Sequence, residues 1–230
     1  MISVIMPFLD AHAVVDRALD SLGWQTYKDF ELILVDDGSN KEFPEEELEN
    51  YSFPWKLLRR ERVAGAGSAR NWAIQESSGE FIFPLDADDI LIPTALERLM
   101  SNIGHYDVLY PNFQVFGAEN HLINSGDFEP AKLERGNFII NSSLYRKSIW
   151  EKVREKNHQG YNEQIMAWED WMFWIEAMRC DAAFHHFPEW LVWVSRSETS
   201  RNSITAKART ELRNFIYDRL QETWGEGLRV

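Results

Sequence analysis

The chain has 230 residues, with 24 Lys and Arg against 37 Asp and Glu, so its formal charge is −13. This length accommodates one domain with a sizeable core, and a hydrophobic fraction of 44% with 27% charged residues excludes wholesale disorder. The negative charge disfavours nucleic acid and anionic lipid surfaces as partners, because both are bound through Lys and Arg.

Apolar runs alternate with amphipathic segments through the first half of the chain. Four runs rich in β-forming residues predict strands at 2–7, 31–35, 55–58 and 79–85. Apolar residues at helical spacing predict a helix at 14–22, and an acidic stretch predicts a short surface helix at 42–50. Further helices are predicted at 68–75, after a glycine-rich turn, and at 93–100. This alternation predicts βαβ units and an α/β fold with a mainly parallel sheet flanked by helices.

The second half continues with fewer recognisable signals. It predicts strands at 108–116, 122–124, 183–187 and 190–195, together with helices at 169–178 and 206–223. No repeat, linker or low-complexity segment divides the chain, so one domain over 1–230 is expected.

Acidic residues follow the predicted strand 79–85 in the run Asp86-Ala87-Asp88-Asp89. An extended backbone would point Asp86 and Asp88 to the same side. Two carboxylates about 4 Å apart repel by roughly 4 kcal/mol at an effective dielectric of 20, so the pair predicts a divalent cation. All-oxygen ligands suit Mg²⁺ or Mn²⁺. The alternative is that Asp88 or Asp89 caps the helix near Pro93.

A second acidic turn, Asp36-Asp37, ends the predicted strand 31–35. On its own it is also explained by an Asx turn ahead of Gly38. The carboxyl ends of parallel strands meet at one edge of a sheet, and ligands of such sheets bind beyond that edge. Both acidic turns are therefore expected beside the same ligand.

A glycine-rich turn at 65–71 opens the predicted helix 68–75. Its backbone N–H groups, with Gly67, could bind a phosphate at a helix N-terminus. The turn also resembles a dinucleotide-binding fingerprint, in which an acidic residue about 20 residues further on, here Asp86, binds the ribose. The third glycine of that fingerprint would be Arg70, which counts against it. Arg70 is interpreted as a cation near a phosphate or, alternatively, as a surface arginine.

The run Trp168-Glu169-Asp170-Trp171 opens the late aromatic helix. Acidic residues in a first helical turn are favoured by the helix dipole, which is one explanation. The other is catalytic, because flanking Trp rings would desolvate a carboxylate and raise its pKa, as a general base requires.

Compartment signals are few. Cys180 is the single cysteine and cannot form an internal disulfide. Nothing resembles a signal peptide at the N-terminus, and no apolar stretch approaches the ~20 residues that span a bilayer. These features predict a cytoplasmic protein and leave peripheral membrane contact open.

Together the motifs resemble the inverting family 2 glycosyltransferases of the GT-A fold. The resemblance runs from residue 2 to about residue 200 and rests on these segments: 3–7 (SVIMP), 21–27 (SLGWQTY), 30–39 (FELILVDDGS), 67–71 (GSARN), 79–89 (GEFIFPLDADD) and 168–171 (WEDW). It implies transfer of a sugar from a nucleotide-diphosphate donor, most commonly a UDP-sugar, to an acceptor hydroxyl of a glycan or glycolipid. It also implies a nucleotide-sugar-binding half at 1–104 and an acceptor-binding half at 105–200. The helix predicted at 206–223 lies beyond the resemblance and makes 201–230 a C-terminal helical extension.

The resemblance assigns donor-side roles residue by residue. Pro7, Asp10 and Asp37 would line the nucleoside pocket, with Asp37 at the base edge. Asp86 would contact the ribose or the metal, and Asp88 would ligate the Mn²⁺ or Mg²⁺ that bridges the diphosphate.

The resemblance also assigns catalysis. Asp170 would deprotonate the acceptor, with Glu169 as the fallback base. Many family members place a His after the last strand to complete the metal shell, whereas here Arg196 stands near that position. Arg196 is therefore predicted to supply positive charge directly to the diphosphate, the alternative being a metal held by Asp88 and phosphates alone.

Two other functions stay open at this point. One is a non-catalytic relative that binds nucleotide sugars or glycans, against which the joint presence of Asp37, Asp86, Asp88 and Asp170 argues. The other is a dinucleotide-dependent oxidoreductase that uses the turn at 65–71, against which Arg70 argues.

Overall fold

The computed structural model describes residues 1–196 and 206–225, with the backbone alone for 206–209. Within them lie nine strands: β1 (Ile2–Phe8), β2 (Phe30–Asp36), β3 (Trp55–Arg59), β4 (Phe81–Pro84), β5 (Ile90–Leu91), β6 (Val108–Gly117), β7 (His121–Ile123), β8 (Leu144–Arg146) and β9 (Phe184–Arg196). The α-helices of the same residues are α1 (Val15–Gly23), α2 (Ala66–Gln75), α3 (Ala95–Asn102), α4 (Pro130–Arg135), α5 (Lys147–Asn157), α6 (Glu169–Arg179) and α7 (Ala206–Trp224).

The first four strands form the parallel half of the sheet, in the order β3-β2-β1-β4. β1 lies between β2 and β4 and is parallel to both, with Ile5 opposite Ile33 on one side and Pro84 on the other. β3 extends this half in parallel alongside β2. The predicted α/β fold with a parallel sheet is confirmed.

The other half of the sheet is mixed. β8 runs antiparallel to β4 and to β6, while β9 runs parallel to β6 and antiparallel to β5. The ladder between β6 and β9 extends to Gly117 and Arg196, with register shifts near Asn112. β5 directly follows the turn after β4 and pairs with β9. The end of β9 therefore lies beside that turn.

Strand alternation explains why both faces of the sheet are covered. Val4 and Met6 are fully buried on the face that packs against α1 and α3, and Ile5 between them is fully buried on the face of α2, α5 and α6. Successive side chains of a strand point to opposite faces, so an uninterrupted apolar strand requires helices on both sides. The result is a helix–sheet–helix layering.

Several predicted elements differ from the structure. Residues 86–89 form a turn, with the Asp89 N–H donating to the Asp86 carbonyl at 3.0 Å, so the argument that an extended backbone aligns Asp86 and Asp88 is wrong. The segment 184–196 is one strand rather than two, and the predicted helix 42–50 is a 3₁₀ helix over Glu45–Asn50. Helices α4 and α5 were not predicted.

The predicted C-terminal helix is confirmed as α7 (Ala206–Trp224). Its buried residues Ile216 and Leu220 pack into the cluster that covers α6. The rest of the predicted extension, 201–205 and 226–230, lies outside the described residues, and the division of the chain into two functional halves stays a prediction.

Candidate active site

A cavity of about 840 Å³ is lined by residues from both halves of the sheet. Its walls come from the turn at 86–89, the segment 137–141, the start of α6 at 166–170 and the end of β9 at 194–196. Phe113, Phe138 and Trp168 add aromatic surface. The cavity thus gathers most of the predicted site residues: Arg70, Asp86, Asp88, Glu169, Asp170 and Arg196.

Arg70 on α2 is buried at the centre of this site, with 2% of its surface exposed. Its Nη1 donates to Glu169 Oε1 at 2.5 Å, and its Nη2 donates to Asp86 Oδ1 at 2.6 Å. Burial lowers the pKa of Arg70, but the charges of Asp86 and Glu169 outweigh it, so the pKa lies above its ordinary value. The interpretation of Arg70 as a surface arginine is wrong, because both end nitrogens hold carboxylates.

The turn at 86–89 is tied to β9 by its last residue. Asp89 is buried, and its Oδ1 accepts a hydrogen bond from the Ser195 N–H at 2.9 Å. Burial, followed by the charges of Asp86 and Asp88, raises the pKa of Asp89 well above its ordinary value. The predicted capping role for Asp88 or Asp89 is wrong, since the N-cap residue of α3 is Thr94.

A hard divalent cation fits the chemistry of this turn. Asp86 and Asp88 both line the cavity, and Asp88 is exposed to it. Among the side chains that the structure describes, no three His, Cys, Asp or Glu residues converge to hold a metal. Within the described residues, the turn offers the carboxylates of Asp86 and Asp88 to such a cation, and Mg²⁺ commonly completes such a set with water and phosphate oxygens.

Asp170, in the first turn of α6, is partly buried in the cavity wall. Its Oδ2 accepts a hydrogen bond from Asn137 Nδ2 at 2.9 Å. Burial, followed by the charge of Glu169, raises the pKa of Asp170 to about 7, although Arg70 opposes the shift. A carboxylate with a pKa near the working pH suits the role of general base.

The predicted nucleoside residues lie at a neighbouring edge, where β1 and β2 end. Pro7 is paired with Val35, and Asp10 follows with its carboxylate accepting from the N–H and the side chain of Asn40, both at 2.8 Å. Asp36 forms the Asx turn that was one explanation of this motif, with its Oδ1 accepting from the Ser39 N–H at 2.8 Å.

Asp37 holds the loop that precedes α2. Its carboxylate accepts from the N–H groups of Ala64 and Gly65, the latter at 2.8 Å, and lies 3.3 Å from Arg60 Nε. Burial raises the pKa of Asp37 even though these donors oppose the shift. Of the N–H groups in the turn 65–71 that were expected to bind a phosphate, that of Gly65 is therefore bound by Asp37.

Gly67 does not line the cavity, and packing explains why a glycine occupies this position. A Cβ there would lie 2.8 Å from the Asn162 carbonyl oxygen and 3.6 Å from Tyr161 Cβ. The glycine therefore allows close contact between α2 and the segment before α6, and its contact with a phosphate stays a prediction.

Arg196 ends β9 at the cavity wall, where its charge lowers the pKa of the neighbouring Asp89. Its carbonyl accepts from the Ala118 N–H at 2.8 Å, which fixes the backbone at the end of the β6–β9 ladder. Its contact with a diphosphate stays a prediction.

The polar residues of the cavity that sequence reasoning missed include Lys132, Asn137 and Asn141. Asn141 Nδ2 donates to Asp86 Oδ1 at 3.3 Å, and Lys132 Nζ lies 4.2 Å from the centre of the Phe138 ring. They lie in or near segments with weak periodicity, so the only signal was the pair of asparagines itself.

No helix in the described part of the chain is long and apolar enough to cross a membrane.

This arrangement, a parallel α/β sheet with carboxylates gathered beyond its strand ends, matches a class of sugar-transferring enzymes. The family model described as "Glycosyl transferase family 2" matches residues 3–180. The chain belongs to this family.

Curated relatives include enzymes with assigned acceptors. The chain is 32% identical over 146 residues to an Escherichia coli UDP-Glc:alpha-D-GlcNAc-diphosphoundecaprenol beta-1,3-glucosyltransferase, covering 63% of this chain and 57% of the relative. It is 30% identical to a Staphylococcus aureus poly(ribitol-phosphate) beta-N-acetylglucosaminyltransferase, covering 76% of this chain and 56% of that protein. The chain therefore spans little more than half the length of these two relatives.

Solved structures match the fold along nearly the whole chain. The structure of S. aureus TarS residues 1–349 in complex with UDP-GlcNAc superposes with a TM-score of 0.78 at 20% identity, covering 98% of this chain and 68% of that one. The same fragment in complex with UDP gives a TM-score of 0.73. The expected GT-A fold is confirmed.

Proposed function

We propose that this protein transfers a sugar from a UDP-sugar to an acceptor hydroxyl with inversion at the anomeric carbon, and that Asp170 is the general base. The observation that carries the proposal is the partly buried Asp170 carboxylate, whose pKa is raised to about 7, in a cavity it shares with the acidic turn at 86–89. Membership of the family supplies the reaction class.

The reaction needs one proton acceptor and no enzyme nucleophile. Asp170 removes the proton of the acceptor hydroxyl, whose oxygen attacks the anomeric carbon as the bond to the diphosphate breaks on the opposite face, so the configuration inverts. Glu169 is the weaker candidate, because its Oε1 is held by Arg70 at 2.5 Å.

The leaving diphosphate gains negative charge, and the cavity offers two ways to offset it. Asp86 and Asp88 would hold a divalent cation, which when bound acts as a Lewis acid on the diphosphate. Arg196 would add positive charge from the end of β9. Mn²⁺ and Mg²⁺ are the proposed cofactors because all the donors are oxygen atoms.

The donor would bind across the ends of β1 and β2 with its nucleoside near Pro7, Asp10 and Asp37. UDP is favoured because TarS, which shares the fold, is solved with UDP and with UDP-GlcNAc, and because one relative uses UDP-Glc. The relatives' acceptors, a poly(ribitol-phosphate) and a lipid-linked sugar, favour a glycan or glycolipid acceptor here. A cytoplasmic location stays a prediction.

Thermal unfolding with a panel of nucleotides tests the donor. UDP at about 100 times its Kd should add roughly 2.7 kcal/mol to the free energy of unfolding. We expect this response to UDP with Mn²⁺, a smaller one without Mn²⁺ and none to NAD. Stabilisation by NAD and none by UDP would overturn the proposal in favour of a dinucleotide enzyme.

The base is tested by UDP release from UDP-glucose and UDP-GlcNAc with neutral sugars, ribitol phosphate and lipid-linked sugars as acceptors. Asp170→Asn should keep UDP binding and lose about 10²- to 10⁴-fold in turnover, the range of a general base. Asp16→Asn, an exposed change on α1, should have wild-type turnover. If the protein binds UDP but forms no UDP from either UDP-sugar with any of these acceptors, it is a non-catalytic relative instead.

A further inference from the structure

The segment 137–141 joins the two carboxylates that the proposed function uses. At its start, Asn137 Nδ2 donates to Asp170 Oδ2 at 2.9 Å. At its end, Asn141 Nδ2 donates to Asp86 Oδ1 at 3.3 Å. One short stretch of backbone therefore contacts both the proposed base and the acidic turn, although it lies 33 residues from Asp170 and 55 from Asp86 in sequence.

The amide of Asn137 has only one orientation that satisfies both of its bonds. Its Oδ1 accepts from the Ile139 N–H at 3.1 Å, which places the oxygen on the backbone and the nitrogen on Asp170. An amide rotated by half a turn would set its oxygen against a carboxylate oxygen, and two acceptors repel each other. The local turn thus fixes the donor that faces Asp170.

We propose that Asn137 is a positioning residue for the general base: its amide N–H fixes the orientation of the Asp170 carboxylate and favours the ionised form that accepts the acceptor's proton. This inference rests on the proposed function for Asp170. A carboxylate offers about four lone-pair sites, so the Asn137 amide can orient it beside the Trp171 N–H, which also donates to it, and still leave sites for the incoming proton. A hydrogen bond to the charged form also stabilises it.

Other charges act on Asp170 and must be held constant. Glu169 and Asp86 oppose its ionisation, and Arg70 favours it. Among the described residues, the remaining ionisable groups that face the carboxylate or line the same cavity are Tyr161, Lys132, Asp88, Asp89 and Arg196. Asn137→Ala changes none of these groups, so its effect isolates the amide.

The test is a ¹³C NMR titration of the Asp carboxyl carbons, with the Asp170 signal assigned by its absence in Asp170→Asn. Asn137→Ala removes the donor and should raise the pKa of Asp170 by about half a unit. Asn137→Asp keeps an oxygen for the Ile139 N–H, preserves the turn and adds a like charge, so it should raise the pKa further. The pKa of Asp170 should therefore rise in the order wild type, Asn137→Ala, Asn137→Asp.

Asn141→Ala is the matched control, because it removes an amide from the same segment at the end that contacts Asp86. Asn141→Ala should leave the pKa of Asp170 at its wild-type value. A shift as large as that of Asn137→Ala would overturn the proposal, since it would show that disturbance of the loop, and not the Asn137 bond, moves the pKa. An unchanged titration in both Asn137 variants would overturn it as well.

Kinetics separate this inference from the function beneath it. Once UDP release has identified an acceptor, the acid limb of the kcat–pH profile should move to higher pH in both Asn137 variants. Their kcat should therefore fall mainly at acidic pH, and their KM for the donor should stay at the wild-type value. The NMR titration needs no turnover, so a failure of the proposed function, seen as the absence of UDP release in the wild type, stays distinguishable from a failure of the role of Asn137.

Discussion

Arg70 is buried between carboxylates that come from distant parts of the sequence. It lies 16 residues from Asp86 and 99 residues from Glu169. A buried guanidinium is tolerated only when its charge is compensated, and here two acids and the face of the Tyr161 ring surround it. Its Nε is a buried donor without a hydrogen-bond partner in the described residues, which adds to the cost of the site.

Replacing Arg70 with Met should therefore destabilise the fold by about 3 kcal/mol, the lower end for a broken buried pair, because Asp86 keeps part of its solvent contact. Urea unfolding measures the change. Arg98→Met is the control, since Arg98 pairs with Glu189 at the surface and its loss should matter far less. Equal losses would mean that Arg70 contributes no more than a surface pair.

The residues of the site were predictable where a short motif carries them. Asp86, Asp88, Glu169 and Asp170 stand in two such motifs, and the cavity brings them together as expected. Asn137 was not predictable, because its partner lies 33 residues away and no local spacing encodes that contact. The burial of Arg70 was missed for the same reason.

At the scale of elements, strands were easier to predict than connections. The central strands are apolar runs that are recognisable from the sequence alone, whereas the turn at 86–89 depends on contacts of Asp89 and of the following β5 with the distant β9. Helix α5 was missed although Ile149, Trp150 and Val153 form a buried face and most of its other positions are charged, a pattern typical of a surface helix. Pro130 at the start of α4 was an unused helix signal.

The contact of α2 with the segment before α6 depends on the absence of a side chain at Gly67. Gly67→Ala should destabilise the protein by about 1–3 kcal/mol, since the added Cβ meets a backbone carbonyl that cannot rotate away. Gly136→Ala is the matched control, because its Cβ meets nothing within 4 Å and its φ of 177° is open to alanine. Thermal unfolding compares them, and a neutral Gly67→Ala would contradict this packing role.

Helix α6 also carries a buried acid that the proposed chemistry does not use. Glu176 is fully buried, and its Oε2 accepts from Asn157 Nδ2 at 2.9 Å. Burial raises its pKa from 4.5 to about 8, against the effect of that donor. The unfolded chain therefore releases this proton at lower pH than the folded protein does. The stability from protonated Glu176 is fully present below pH 4.5 and is lost as the pH rises through 8.

Glu176→Gln should remove this pH dependence. The variant should be close to wild type near pH 5 and more stable by a few kcal/mol near pH 9, since each pKa unit corresponds to about 1.4 kcal/mol. Urea unfolding at the two pH values measures the difference. Glu155→Gln, at an exposed position on α5, should differ from wild type in the free energy of unfolding by the same amount at both pH values. The same pH-independent difference in Glu176→Gln would contradict the proposed titration.

Over the whole molecule, the site lies where the parallel half of the sheet meets the mixed half. Asp86 follows β4, Asp170 begins α6, and Arg196 ends β9, so neither half forms the cavity alone. Acidic side chains outnumber basic ones in the cavity, with Asp86, Asp88, Asp89, Glu169 and Asp170 against Arg70, Lys132 and Arg196. The raised pKa values of Asp89 and Asp170 reduce this excess of negative charge.

A chain with a charge of −13 should repel a free nucleoside diphosphate and accept it more readily with a divalent cation. Raising the ionic strength from about 0.01 M to 0.15 M shortens the Debye length from about 30 Å to 8 Å and weakens that repulsion. We therefore expect the metal-free Kd for UDP to fall several-fold over this range, and the Kd with Mn²⁺ to change less. Calorimetric titration at both ionic strengths measures this. Weaker metal-free binding at the higher ionic strength would contradict it and show that the local cations, Arg196 and Lys132, dominate the field that the nucleotide meets.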